Sequence, residues 1–126
     1  MPRSWVYEHP IGTLDLSVQH LGAHLVVCIS GSDVPHIGSV VLATPRPSLS
    51  GSGASATSSV LNRIGHKDEF VGRIVAEVLA SQLDTVVCCV CGVHKDDASA
   101  DQIAACAPLG DELAAFLLER IPHNTA

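Results

Sequence analysis

Between Thr13 and Gln19 apolar and polar positions alternate, with Leu14, Leu16 and Val18 set against Asp15, Ser17 and Gln19. A period of two predicts a strand with one wet face. His20 to Ala23, which carries Gly22, reads as a turn. From His24 to Ser30 the chain is continuously apolar through Leu25, Val26, Val27, Cys28 and Ile29, the pattern of a central strand covered on both sides. Gly31, Ser32, Asp33 and Pro35 break that run. A third strand is expected over about Ile37 to Ala43. Thr44 to Ala54, with two prolines and a Ser-Gly-Ser-Gly stretch, reads as an irregular loop.

Ser55 to Asn62 predicts a fourth strand, its hydroxyls alternating along one face. After Gly65 the period changes to 3.6. Phe70, Val71, Ile74, Val75, Val78 and Leu79 make the apolar stripe of a helix from about Lys67 to Gln82. Thr85 to Cys91 predicts another buried strand. Ser99 and Gln102 have the spacing of a capping box at the start of a short helix that Pro108 interrupts. Asp111 to Arg120 predicts the last helix, burying Leu113, Phe116 and Leu117. The order is four strands, a helix, a strand and one broken or two short helices, with no internal repeat and no linker. It fits a single α/β (α+β) domain over residues 1–126, built on one mixed or largely antiparallel sheet with helices on one face. The other face then needs cover, which a twin subunit could supply.

Composition sharpens this. Of the 126 residues 47% are hydrophobic and only 16% charged, and mean hydropathy is +0.33. So little charged surface points to a buried subunit interface. A net charge of −6 without a basic stretch argues against nucleic acid. The N-terminal residues lack the apolar run of a signal peptide, and the longest apolar run, around Val86 to Val90, is too short to span a bilayer. A cytoplasmic location without membrane association is expected. Cys88, Cys89 and Cys91 share one predicted strand, where neighbours point to opposite faces and cannot form a zinc site's paired hairpins; they read as core thiols.

The polar groups concentrate between Pro35 and Lys67. That run holds His36, Arg46, the hydroxyls of Ser55, Thr57 and Ser59, then His66 and Lys67. His36, His66 and His94 each sit at a predicted element end, where a scaffold presents functional side chains. Imidazoles with Asp68, Glu69, Asp96 and Asp97 are candidate metal ligands, although neither His-Glu-x-x-His nor Cys-x-x-Cys spacing is present. Asp96 and Asp97 also read simply as loop residues before the Ser99 helix. An anion is the other candidate ligand. Gly65-His66-Lys67 leads into a helix whose first N–H groups lack internal partners, though Asp68 and Glu69 share that turn. Arg46, Ser48, Ser55 and Thr57 form an alternative anion cradle, and a solvated strand face is an equal reading of the hydroxyl stripe. No Gly-x-Ser-x-Gly elbow supports covalent catalysis, and Gly51 to Gly53 lacks the Gly-Lys-Ser/Thr that completes a phosphate loop.

Five blocks, in order, carry a resemblance: Pro35-His36-Ile37-Gly38-Ser39-Val40, Pro45-Arg46-Pro47-Ser48-Leu49, Ser55-Ala56-Thr57-Ser58-Ser59-Val60, Gly65-His66-Lys67-Asp68 and Gly92-Val93-His94-Lys95-Asp96-Asp97-Ala98. Together they resemble the small D subunit associated with gallate- and vanillate-type decarboxylases, the LpdD-like proteins, over nearly all of Val26 to Leu118. The resemblance implies a dimeric fold similar to proteasome assembly chaperones. It also implies a non-catalytic carrier of reduced prenylated FMN, or of FMN, for a UbiD-like decarboxylase of aromatic acid metabolism. On that basis the expected cofactor contacts are His36, Arg46, Ser55, Thr57, His66, Lys67 and His94. The Gly- and Ser-rich Ser50 to Ala54 stretch departs from the family pattern, and only Trp5, Tyr7, Phe70 and Phe116 are aromatic. Two other classes stay open: a small metal-dependent enzyme built on His36, His66 and His94, and a ligand-free assembly subunit of a decarboxylase.

Overall fold

A computed structural model describes residues 2–49, 53–63 and 69–122. Its strands are β1 (Arg3–His9), β2 (Gly12–Leu21), β3 (His24–Ser32), β4 (Ser39–Pro47), β5 (Ala54–Asn62) and β6 (Val87–His94). Its helices are α1 (Glu69–Leu83), between β5 and β6, then α2 (Ala100–Ala105) and α3 (Leu109–Arg120). The strands form one mixed sheet in the order β1-β2-β3-β6-β4-β5. All pairings are antiparallel except β3 with β6, which run parallel in the centre.

The alternation read in the sequence decides which face is dry. Leu14, Leu16 and Val18 of β2 face the same side as Leu25, Val27 and Ile29 of β3, Val41 and Ala43 of β4, and Val87, Cys89 and Cys91 of β6. All are buried beneath Val75, Leu79, Leu113 and Leu117 of the helices. Side chains of this size contribute roughly 1.5–3 kcal/mol each when removed from water. Burial also pushes the Cys89 thiol well above its usual pKa, so it stays an inert apolar group. The helices therefore lie on one face of the sheet, as the order of elements predicted.

Three sequence expectations need correction. First, Arg3–His9 is a strand: Trp5 and Tyr7 alternate with the more exposed Ser4, Val6 and Glu8. Tyr7 packs edge-on against Phe116 with centroids 5.2 Å apart, and its hydroxyl donates to Glu112 Oε2 at 3.0 Å. The connecting turn, Pro10-Ile11, carries no Asn-Gly signal, which hid the hairpin. Second, Thr44 to Pro47 continues β4. Its pairing with β6 stops at Ala43 opposite Val87 whereas its pairing with β5 runs on to Pro47, so Pro45 and Pro47 lie where one side of the strand is unpaired. A proline is tolerated there because no ladder bond needs its missing N–H. Third, β3 and β6 are covered on one face only: Cys28 is exposed, and Cys88 is half-buried rather than a core thiol.

The short helix carries both halves of the expected capping box. Gln102 N donates to Ser99 Oγ at 3.1 Å, and Ser99 N to Gln102 Oε1 at 2.9 Å. α3 starts two residues before Asp111, directly after Pro108, and buries Leu109 as well as Leu113 and Leu117. Phe70, counted in the apolar stripe of α1, is 57% exposed.

Ser39, at the start of β4, is 1% exposed, and among the described residues its hydroxyl has no hydrogen-bond partner. It faces Gly72 of α1 beside Cys91. An unmade buried hydrogen bond costs about 1–3 kcal/mol. Ser39→Ala is therefore expected to stabilise the protein by about 1 kcal/mol, raising Tm by a few degrees in a thermal melt. A clear fall in Tm would mean that the hydroxyl is satisfied, for instance by a buried water.

Candidate functional site

Among the described residues no helix covers the face of the sheet away from α1 and α3. Across its middle the register sets Cys28 beside Val90 and Val90 beside Val40, then Val40 beside Leu61. One row on, Val26 lies beside Cys88 and Cys88 beside Leu42. Leu42 is 49% and Leu61 75% exposed. This apolar floor is flanked on the β2 side by Asp15, Ser17 and Gln19, the wet positions of the alternation.

The two ends of the floor carry different chemistry. At one end, Arg46 lies opposite Ser55 and Thr44 opposite Thr57 across β4 and β5. Arg46 Nε donates to Thr57 Oγ1 at 2.8 Å, and its Nη1 reaches Pro47 O at 3.2 Å. A guanidinium braced by a hydroxyl and a carbonyl presents a fixed cation edged by Ser55 and Thr57, a donor set suited to a phosphate or carboxylate.

At the other end are the loops after β3 and β6. Because these strands are parallel, both chains leave at the same edge, the usual place for a ligand crevice in α/β sheets. The 33–38 loop crosses the floor directly above Gly92, where a Cβ would meet the His36 carbonyl oxygen at 1.5 Å. Gly38 N donates to Cys91 O and Arg63 N to Gly38 O, both at 3.0 Å, pinning the loop. The His36 ring is held through Nδ1, 2.8 Å from Val34 O. Asp33 ties the two loops together: its N donates to His94 O at 2.8 Å, and its Oδ2 accepts from Asp96 N at 2.9 Å and Lys95 Nζ at 3.3 Å. His94 Nε2 lies 2.8 Å from Asp96 Oδ1. The Asp96 amide, backed by Lys95, holds the Asp33 carboxyl below its usual range. Asp97 takes a left-handed backbone (φ +50°), in keeping with its reading as a loop residue.

The expected site residues thus fall into two groups. Arg46, Ser55 and Thr57 come together at one end of the floor, and His36 and His94 share the other. From Ser39, beside His36, the strand climbs about 23 Å to Arg46 at ~3.3 Å per residue, so no small anion spans both groups. His66, Lys67 and Asp68, and the Ser50 to Ser52 part of the expected loop, lie outside the described residues. Among the described residues no three of His, Cys, Asp and Glu are grouped to hold a metal ion. Nor is any described helix long and apolar enough to cross a membrane. Sequence reasoning missed the floor itself, which the continuous apolar run of β3 had signalled, and Asp33, which was read only as a strand breaker.

A small α/β domain, one mixed six-stranded sheet with helices on one face, is what this arrangement defines. The chain aligns with a solved structure described as a novel chaperone complex for yeast 20S proteasome assembly, at a TM-score of 0.52 and 10% identity, covering 94% of this chain and 97% of that one, which establishes the fold. The family model for the prenylated flavin chaperone LpdD-like domain matches residues 10–122. Protein LpdD of Lactiplantibacillus plantarum is 30% identical over 98 residues, 76% of this chain and 68% of that relative. The chain belongs to the LpdD-like prenylated flavin chaperone family.

Two measurements check the loop end of the site. Gly92→Ala should destabilise the protein by about 2 kcal/mol or more in urea denaturation, because the new methyl collides with loop backbone that cannot give way; unchanged stability would mean that the 33–38 loop does not lie on Gly92. Since the folded-state pKa of Asp33 is depressed, its loop-tying contribution is present above the ordinary 3.8 and is lost as pH falls through the lower folded value. In an NMR titration the Asp96 amide shift should therefore move with a midpoint below 3.8.

Proposed function

We propose that this protein binds reduced prenylated FMN, or FMN itself, on the uncovered sheet face and delivers it to a UbiD-like aromatic acid decarboxylase, with no catalysis of its own. Membership of a family described as prenylated flavin chaperones supports this choice of ligand. The observation that carries the placement is the long apolar floor with a hydroxyl-braced cation at one end and imidazoles at the other. A flavin mononucleotide has matching parts: a phosphate for Arg46, Ser55 and Thr57, and a wide ring with an apolar prenyl-derived portion for Val40, Leu42, Cys88 and Val90. The polar ring edge would face His36 and His94. His66 and Lys67 are kept as contacts on the family resemblance alone.

The fit is that of a carrier. None of the four aromatic residues lies on the floor: Trp5, Tyr7 and Phe116 pack against the core on the helix side, and Phe70 is on α1. The ring would rest on aliphatic side chains, without the stacking that tightens flavin binding. Moderate affinity suits a ligand that must be handed on. The part of the face around Leu61 that the ligand leaves uncovered suits a second copy of the chain, which would make the protein a homodimer with its site near the interface. A cytoplasmic setting with no nucleic acid partner agrees with the charge balance.

Anaerobic titration with reduced prenylated FMN is expected to show saturable binding. Arg46→Ala should weaken it roughly 10- to 100-fold, the worth of hydrogen bonds to a charged group. Leu42→Asp should abolish it by placing a charge on the floor. The His66→Ala, Lys67→Ala double variant tests those two positions in the same assay. Equal affinity in the Arg46 and Leu42 variants would move the ligand off this face.

A further inference from the structure

Five cysteines are divided unevenly between the two faces. Cys89 and Cys91 are sealed in the core and Cys106 is half-buried after α2, but Cys28 and Cys88 share the uncovered face. On parallel β3 and β6, Cys28 is in register with Val90 and Cys88 with Val26, so the two cysteines are diagonal neighbours with their side chains on the same side. The Cys88 thiol is pushed up, first by burial and then by the presence of Cys28. From the Cys28 side the face opens into a depression of about 300 Å³ edged by Ser4, Ser17 and Ser30, which gives a small molecule access.

The spacing decides what such a pair can do. Diagonal neighbours in a sheet have Cα atoms on the order of 7–8 Å apart, and beyond about 7 Å a disulfide cannot close without backbone movement. A single atom bonded to both sulfurs adds a bond length on each side and closes that gap. The surroundings select the kind of atom. Val26, Val40, Leu42 and Val90 supply no cation, and the carboxylate of Asp15 lines the same depression as Cys28, so an uncharged product is favoured over an anionic thiolate complex. Two neutral thiols condensing with a trivalent arsenic centre meet both conditions.

We propose that Cys28 and Cys88 form a two-sulfur site for thiophilic centres of the trivalent arsenic class. With phenylarsine oxide the step balances without redox chemistry. The two S–H bonds and the arsenic–oxygen bond break, two arsenic–sulfur bonds form, and the oxygen leaves as water with both thiol protons.

The test uses the full chain, reduced and reacted with phenylarsine oxide at low protein concentration until its mass no longer changes, so that a subunit contact over the face does not limit the end-point. One phenylarsenic group per chain should survive a monothiol wash, with the loss of two titratable thiols. Cys28→Ser and Cys88→Ser should each lose the adduct, and Cys106→Ser should keep it. Peptide mapping of the wild-type adduct should place arsenic on Cys28 and Cys88, a readout independent of how the variants fold. Overturning results are no retained arsenic, arsenic mapped elsewhere, or a diamide-induced disulfide joining Cys28 to Cys88. The readout needs no flavin, so failure here and failure of the flavin titration are told apart, although an arsenical on Cys88 would occupy part of the floor proposed for the ring.

Discussion

A sheet needs cover on both faces if both are apolar, and the described residues supply helices over one. α1 packs on β4, β5 and β6 and against α3, while Tyr7 engages α3, so both long helices of the described residues are committed to the same side. Val26, Cys28, Val40, Leu42, Leu61, Cys88 and Val90 are left on the other. A contiguous, partly exposed apolar patch of this kind is uncommon on soluble monomers, which is why the flavin and a second subunit are proposed to sit there. The low charge content is the same fact seen in composition: residues that would ordinarily be polar on a wet sheet face are Val, Leu and Cys.

The topology explains why this floor is bounded by chemistry at both ends. Inserting β6 between β3 and β4 makes the central pair parallel, so two loops leave the same edge and can be tied by one carboxylate, Asp33. The same insertion stops at Ala43, leaving the far half of β4 paired only to β5. That unshared stretch can accept Pro45 and Pro47 and still present Arg46 beside Thr57. The two proline-flanked segments that looked like interruptions in the sequence are thus the two places where the sheet turns polar.

Periodicity made the interior legible. Leu14, Leu16 and Val18 and, apart from Phe70, the stripe of α1 point where their spacing says they should, and the Ser99 and Gln102 pair marked a helix start to the residue. What failed was any inference needing knowledge of neighbours. Pro45 and Pro47 read as loop because a sequence does not say which side of a strand is unpaired. Arg3–His9 was passed over because its turn lacks the residues that announce a hairpin. His36 and Arg46, only ten positions apart in sequence, read as one cluster, yet β4 is extended and carries them to opposite ends of the face. Gly92 gave no local signal, since its need to be glycine arises from a loop more than fifty residues earlier in the chain.

The separation of the two polar groups bears on what the face can hold. A compact anion would gain from Arg46 or from the imidazoles, never from both, and would leave the apolar floor exposed to water. An elongated ligand with a charged end and a broad apolar body gains from one end and the floor together. Its release then requires breaking one charge-assisted contact and rehydrating a flat surface, with no enclosed cavity to open. That combination of adequate hold and easy exit is what the proposed carrier role requires, and it would follow from a sheet whose second face none of the described helices covers.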